Sequence, residues 1–153
     1  MKISTKSAGS SKYKGVFNLL FRKGAWDFYE KDTISFSQGD LDDHHIFPKK
    51  FLERKGIKEE VDSVLNRTLI LSSTNRHISS KSPASYIQEM IKIHGSKEAV
   101  RLILDKHFIN GEMLEILQSV DDDTPASIVE ERFREFIHMR EELIKKEIKT
   151  LVM

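Results

Sequence analysis

The apolar positions Val16, Phe17, Leu19, Leu20 and Phe21 predict a short helix over Tyr13 to Arg22, ending near Gly24. Ala25 to Phe28 and Thr33 to Phe36 read as short extended pieces, the second with Ile34 and Phe36 alternating with polar residues. Pro48 suits the first position of a helix that runs to about Lys55 and stops at Gly56. Glu60 to Leu65 reads as one more helical turn, and the β-branched, apolar run Thr68 to Leu71 as a short strand. Thr74 or Ser72 is placed to cap a turn of helix carrying Asn75.

Beyond this point helical spacing takes over. Ser82-Pro83 is an N-cap followed by a proline at the first helical position, and that helix reaches about Ile93. Ser96 caps another, with Val100, Ile103, Leu104 and Phe108 on one face, and Met113 to Leu117 is a short third. Thr124-Pro125 opens the longest helix, with Ile128, Val129, Phe133, Phe136, Ile137, Leu143, Ile144, Ile148 and Leu151 as its apolar stripe. That stripe reads as core packing rather than a dimerising coil, because Arg140 interrupts it. There is no internal repeat. Residues 1–11 read as a flexible leader, rich in serine, and 12–153 as one domain.

The 153 residues suffice for one domain with its own core, and 39% hydrophobic with 32% charged is a globular balance. No apolar run approaches the roughly 18 residues that span a bilayer, so no membrane partner is expected. Met1 to Ser11 is polar and lacks the apolar centre of an export signal. The absence of cysteine excludes disulfides and thiolate metal sites and fits a cytoplasmic protein. The net charge of +1 hides an asymmetry. No acid precedes Asp27, whereas Lys2, Lys6, Lys12, Lys14, Arg22 and Lys23 are basic, and Lys49, Lys50, Arg54, Lys55, Lys58, Arg67, Arg76 and Lys81 follow. A basic half in a near-neutral chain is compatible with binding a phosphate backbone, and equally with a solvated mixed surface.

The chemistry concentrates in Asp42-Asp43-His44-His45-Ile46-Phe47-Pro48, with Asn66 and Asn75 downstream. Cutting a phosphodiester needs a base for water, a cation for the departing oxygen, and basic groups to hold the strand. One imidazole can supply the base; a second, with an amide oxygen, can hold one divalent ion and leave positions for water. An order of strand, turn, strand, helix would bring these groups together.

These residues resemble the HNH endonucleases of ββα-metal fold. The resemblance rests on His44-His45-Ile46-Phe47-Pro48, on Asn66-Arg67-Thr68-Leu69-Ile70, and on Asn75 with Lys81 and Pro83 beyond it. The nine positions from Asn66 to Asn75 match the His-Asn-Asn variant found in RNA-guided CRISPR nucleases. Lys14 to Leu20, Gly24 to Phe28 and Phe136 to Arg140 further resemble the C-terminal module of two-part restriction proteins that join a ParB-like nucleotidase to an HNH domain. That likeness covers the chain from about residue 12. It leaves open a C-terminal fragment or a stand-alone relative without the nucleotidase.

The resemblance implies a mostly helical α+β fold: a small ββα-metal centre at about 33–81 inside a helical shell, with a helical part at about 82–153 and a long C-terminal helix. It implies a metal-dependent DNA endonuclease acting in restriction of foreign or modified DNA, that is, phage defence. His45 matches the general base, His44 and Asn75 the ligands of one divalent ion, and Asn66 the residue that braces the loop and orients the base. Lys49, Lys50, Arg76 and Lys81 are candidate DNA contacts, with Asp43, His77 and also Asp42 as neighbours of the metal site. Relatives often have aspartate where His44 stands. The lost charge is expected to weaken Mg²⁺ relative to Mn²⁺, Ni²⁺ or Zn²⁺, although Mg²⁺ and Mn²⁺ remain the first expectation. His94, His107 and His138 read as structural. DNA is the expected partner, a ParB-like nucleotidase domain or subunit a further one, and a homodimer is left open. Two rivals stand beside this: a module that binds nucleic acid without cutting, and a regulatory domain whose last helix docks a partner.

Overall fold

The computed structural model describes residues 11–31 and 40–152. Helix α1 (Ser11–Lys23) leads to strand β1 (Leu41–His45) and helix α2 (Lys49–Arg54). A 3-10 turn (Val64–Asn66) feeds strand β2 (Arg67–Leu71), which passes directly into α3 (Ser72–Ile78). Helices α4 (Pro83–His94), α5 (Lys97–Asp105), α6 (Gly111–Gln118) and α7 (Ala126–Val152) complete the chain. The described fold is therefore mostly helical, with one two-stranded antiparallel sheet. No described helix is long and apolar enough to cross a membrane.

The local signals largely act where expected. Ser82 accepts a hydrogen bond from the Ser85 amide and Ser96 from the Ala99 amide, so both are working N-caps. Asn110 does the same for α6 through Met113. Gly95 ends α4 at φ +90°, a left-handed conformation that glycine adopts without a Cβ penalty. Pro48 sits one residue earlier than expected, outside α2, with extended ψ of 136°. The turn expected over Glu60 to Leu65 is displaced to the 3-10 turn, capped by Ser63.

Other expectations need correction. Ala25 to Phe28 contributes a single bridging residue, Trp26, and then a bend, not a strand. The cause is Asp27, whose buried carboxylate accepts from the Tyr29 and Glu30 amides at 2.9 Å and curls the chain locally. Neither Ser72 nor Thr74 caps α3. Their hydroxyls donate instead to Asp42 at 2.8 Å and Asp27 at 2.6 Å. Thr33 to Phe36 and most of the leader (residues 1–10) lie outside the described residues.

The sheet register pairs Leu41 with Leu71, His44 with Thr68 and His45 with Arg67. Alternation puts His44, Thr68 and Ile70 on the buried face. Helix α3 packs on both strands, α4 on α5 and α6, and α6 on α7. Within α7, Val129, Phe133, Phe136, Ile137 and Ile144 are buried, while Ile128 and Leu151 face solvent. Arg140 does not interrupt this packing but is itself fully buried. Its guanidinium donates to the carbonyls of His107, Val64, Leu65 and Arg67 at 2.7–3.2 Å, tying α7 to the chain entering β2. Burial lowers its pKa from the ordinary arginine value.

Candidate metal and phosphate pocket

Strand β1 ends at the adjacent histidines, so alternation sends their side chains to opposite faces. Both nonetheless reach one pocket of about 290 Å³, because it opens off the strand's end, where α2 begins and α3 passes. Its walls are His44, His45, Pro48, Lys49, Lys50, Asn75, Arg76 and Ser79.

His44 is 2% exposed, against Phe28 and Tyr86 with ring centroids at 5.6 and 5.8 Å. Burial pushes its pKa down to about 4, so the ring is neutral near pH 7. Its Nδ1 lies 2.8 Å from Asn75 Oδ1. The Asn75 amide is fixed, because its Nδ2 donates to Asp42 Oδ2 at 3.0 Å, and Asp42 Oδ1 accepts from Ser72. With Oδ1 turned to His44, Nδ1–H must donate to it, which leaves Nε2 a bare, buried acceptor without a partner among the described residues. Neighbouring ligands at about 2.1 Å on an octahedral ion are about 3 Å apart. The two donors are thus spaced to share a cation, and sharing one would place the ring proton on Nε2. Among the described residues no three His, Cys, Asp or Glu side chains form a metal cage. The donor set is one imidazole and one amide, which suits an ion that keeps most of its water.

His45 has its Nε2 2.9 Å from Asp62 Oδ1. Asp62 also accepts from Lys49 Nζ at 3.3 Å. The His45 hydrogen bond, followed by Lys49, holds the Asp62 carboxyl below its usual value. The backbone carbonyl of Asp62 accepts from Arg67, whose guanidinium donates to Asp43 at 2.8 Å and stacks on Tyr13 at 4.9 Å.

Asn66 is fully buried and does not line the pocket. Its Oδ1 accepts from the Phe47 amide at 2.9 Å, and its Nδ2 donates to the Phe47 and Val61 carbonyls at 3.2 and 2.9 Å. It braces the exit of β1 against the loop carrying Asp62. Tyr86 donates to the Ile46 carbonyl at 2.6 Å and pins the same corner. Ser79 closes α3 at φ +49°, ψ −113°, a strained conformation for a residue with a Cβ.

Lys50 and Arg76 are exposed at the pocket and form no ion pair with described residues. Lys49 is there too, but already engaged by Asp62. Three expected residues lie elsewhere. Lys81 pairs with Glu89 and donates to the His77 carbonyl, and His77 also faces Glu89, at 3.1 Å. Neither lines the pocket, because the end of α3 turns them toward α4. Asp43 lies on the sheet face opposite His44 and acts on the His45 side through Arg67, with burial raising its pKa. His107 is structural as expected: buried, donating from Nε2 to the Trp26 carbonyl and accepting from Thr68 at Nδ1. His94 braces the Phe28 carbonyl, and His138 is on the surface.

Asp62 and Asp27 were missed by sequence reasoning. The one hint for Asp27 was its place as the first acid of the chain; Asp62 gave no local signal at all.

Among known proteins, the chain is 51% identical, over 156 aligned positions, to an uncharacterized protein of Methanocaldococcus jannaschii. The match covers 96% of this chain and 27% of that protein, so the chain spans about a quarter of the relative's length. No protein-family model matches the chain, and no solved structure does.

Proposed function

We propose that the chain is a divalent-metal-dependent DNA endonuclease domain of the HNH kind, hydrolysing phosphodiester bonds. The observation that carries this reading is one pocket where His44 Nδ1 and Asn75 Oδ1 stand 2.8 Å apart beside His45. The strand pair followed by α3 supports it, since an HNH centre draws its base and ligands from those elements.

In this reading His45 takes the proton of a water molecule whose oxygen attacks phosphorus. The bond from phosphorus to the departing oxygen breaks, and that oxygen leaves with a proton from solvent. His44 and Asn75 would hold a divalent ion, Mg²⁺ or Mn²⁺ first and Ni²⁺ or Zn²⁺ after them, which when bound would supply positive charge for the departing oxygen. Lys50 and Arg76, with Lys49, hold the strand's phosphates at the rim. Asn66 keeps the corner rigid so that base and ligands stay in register. Restriction of foreign or modified DNA, beside a ParB-like nucleotidase domain or subunit, is the wider role this reading carries. The length of the M. jannaschii relative leaves ample chain for such a neighbour.

The test is incubation with supercoiled plasmid and Mg²⁺, Mn²⁺ or Ni²⁺, beside His45→Ala. Metal-dependent nicking that His45→Ala abolishes is expected. Cutting that survives the substitution refutes the base assignment. Salt-sensitive DNA retention without cutting by any metal assigns the pocket to a binding module instead.

A further inference from the structure

The pocket's second imidazole contact involves a residue that the histidine and asparagine pattern does not contain. His45 has two ring nitrogens, and Nε2 is held by Asp62 Oδ1 at 2.9 Å. A carboxylate only accepts, so Nε2 must carry the hydrogen, and Nδ1 keeps the lone pair. No described residue bonds Nδ1. Asp62 is itself held from two sides. Lys49 binds its other carboxylate oxygen, and Arg67 binds its backbone carbonyl. Arg67 is in turn anchored by Asp43 and by the Tyr13 ring, so the acid stands on a supported loop rather than a free side chain.

We propose, resting on the endonuclease reading, that Asp62 is a positioning residue for His45. Its carboxylate fixes the ring orientation and selects the tautomer whose Nδ1 is free to accept a proton from water. Lys49 shares that carboxylate, so a phosphate drawing Lys49 away leaves Asp62 wholly to His45. Strand binding thereby tightens the hold on the base. The depressed Asp62 pKa agrees with a carboxylate that is ionised whenever His45 needs it. The same geometry recurs wherever a carboxylate orients a catalytic imidazole, and losing it there costs rate through the wrong tautomer.

The experiment has two independent readouts on the full chain. The first is the His45 tautomer, from side-chain ¹⁵N–¹H correlation spectra at roughly pH 8.5, above the ordinary imidazole range. The second is plasmid cleavage resolved into kcat and KM. Wild type, Asp62→Ala and Asp62→Glu are compared; Asp62 is partly exposed, with 40% of its side chain accessible, so the variants should fold. Wild type is expected to show the Nε2–H form. Asp62→Ala should show a mixture of tautomers and lower kcat by about 10- to 100-fold, a share of the ~10²–10⁴ that a positioned base supplies. KM should change by less than about 2-fold, and Asp62→Glu should recover part of the kcat. An unchanged tautomer in Asp62→Ala overturns the proposal, as does a wild-type kcat in that variant. A wild-type chain that cuts nothing, but whose His45 tautomer depends on Asp62, upholds the positioning while the endonuclease reading fails.

Discussion

Replacing Asn66 with alanine tests whether the corner beneath the pocket is held by one side chain. Asn66 is fully buried and makes three hydrogen bonds to backbone. The substitution strips the buried Phe47 amide of its 2.9 Å acceptor and takes a donor from the Phe47 and Val61 carbonyls. An orphaned buried polar group costs about 1–3 kcal/mol. The amide falls at the upper end, because it has no second partner among the described residues; the carbonyls fall lower. The expected loss is about 3–5 kcal/mol, a large part of the ~5–15 kcal/mol of an ordinary domain. Urea unfolding followed by far-UV circular dichroism measures it, with the slope m showing whether the denatured state changed. Asn66→Asp sharpens the test. It keeps an acceptor for the Phe47 amide but sets an oxygen against two carbonyls. Its carboxyl pKa is therefore raised in the fold. Its deficit should be full at neutral pH and shrink as pH falls through that raised value, because the protonated acid can donate once. An Asn66→Ala protein within 1 kcal/mol of wild type, at unchanged m, refutes the bracing argument.

Acid sensitivity follows from His107 and His44, both held at about 4 by burial against an unfolded value of about 6.5. The unfolded chain binds more protons between these values, so stability is full above about pH 6.5 and is lost as pH falls toward 4. His107→Gln should flatten the pH slope in urea midpoints over this window; an unchanged slope refutes this. Mn²⁺ should raise the unfolding free energy, by about 2.7 kcal/mol at one hundred times its Kd. Asn75→Ala should abolish that gain, and retention of it would exclude Asn75 as a ligand. Ser79→Gly should stabilise the chain by about 1 kcal/mol through relief of its positive φ, read from the same urea curves. His44→Asp should raise Mg²⁺-supported relative to Mn²⁺-supported cutting while lowering the thermal midpoint, since a carboxylate then faces Phe28 and Tyr86. An unaltered metal ratio would show that the residue at position 44 does not tune the ion.

Much of the framework was legible because its causes are local. Ser82, Ser96 and Gly95 act on amides and carbonyls within four residues of themselves, so their effect can be read from the chain as written. The period of α7 and the β-branched run into β2 are of the same kind. The two histidines and two asparagines also stood out, and the fold brings His44, His45 and Asn75 to one pocket with Asn66 beneath it. What sequence alone determined is thus where most helices start, which face of α7 is apolar, and which few polar residues to follow to the pocket.

Tertiary structure decided how those residues are used. Asp62 meets His45 across 17 positions, Asp27 meets Leu71 across 44, and Arg140 meets Val64 across 76. No propensity or period acts over such distances; only the packed chain brings the partners together. Arg140, a break in an apolar stripe when read along the helix, became a buried clamp because four carbonyls converge on it. Lys81, in register with a nuclease pattern, and His77, a candidate neighbour of the metal site, were drawn to Glu89 because α4 presents an acid beside them. The reason is physical: a charged side chain settles where desolvation is best repaid by partners, and those partners are fixed by the fold, not by neighbours in sequence.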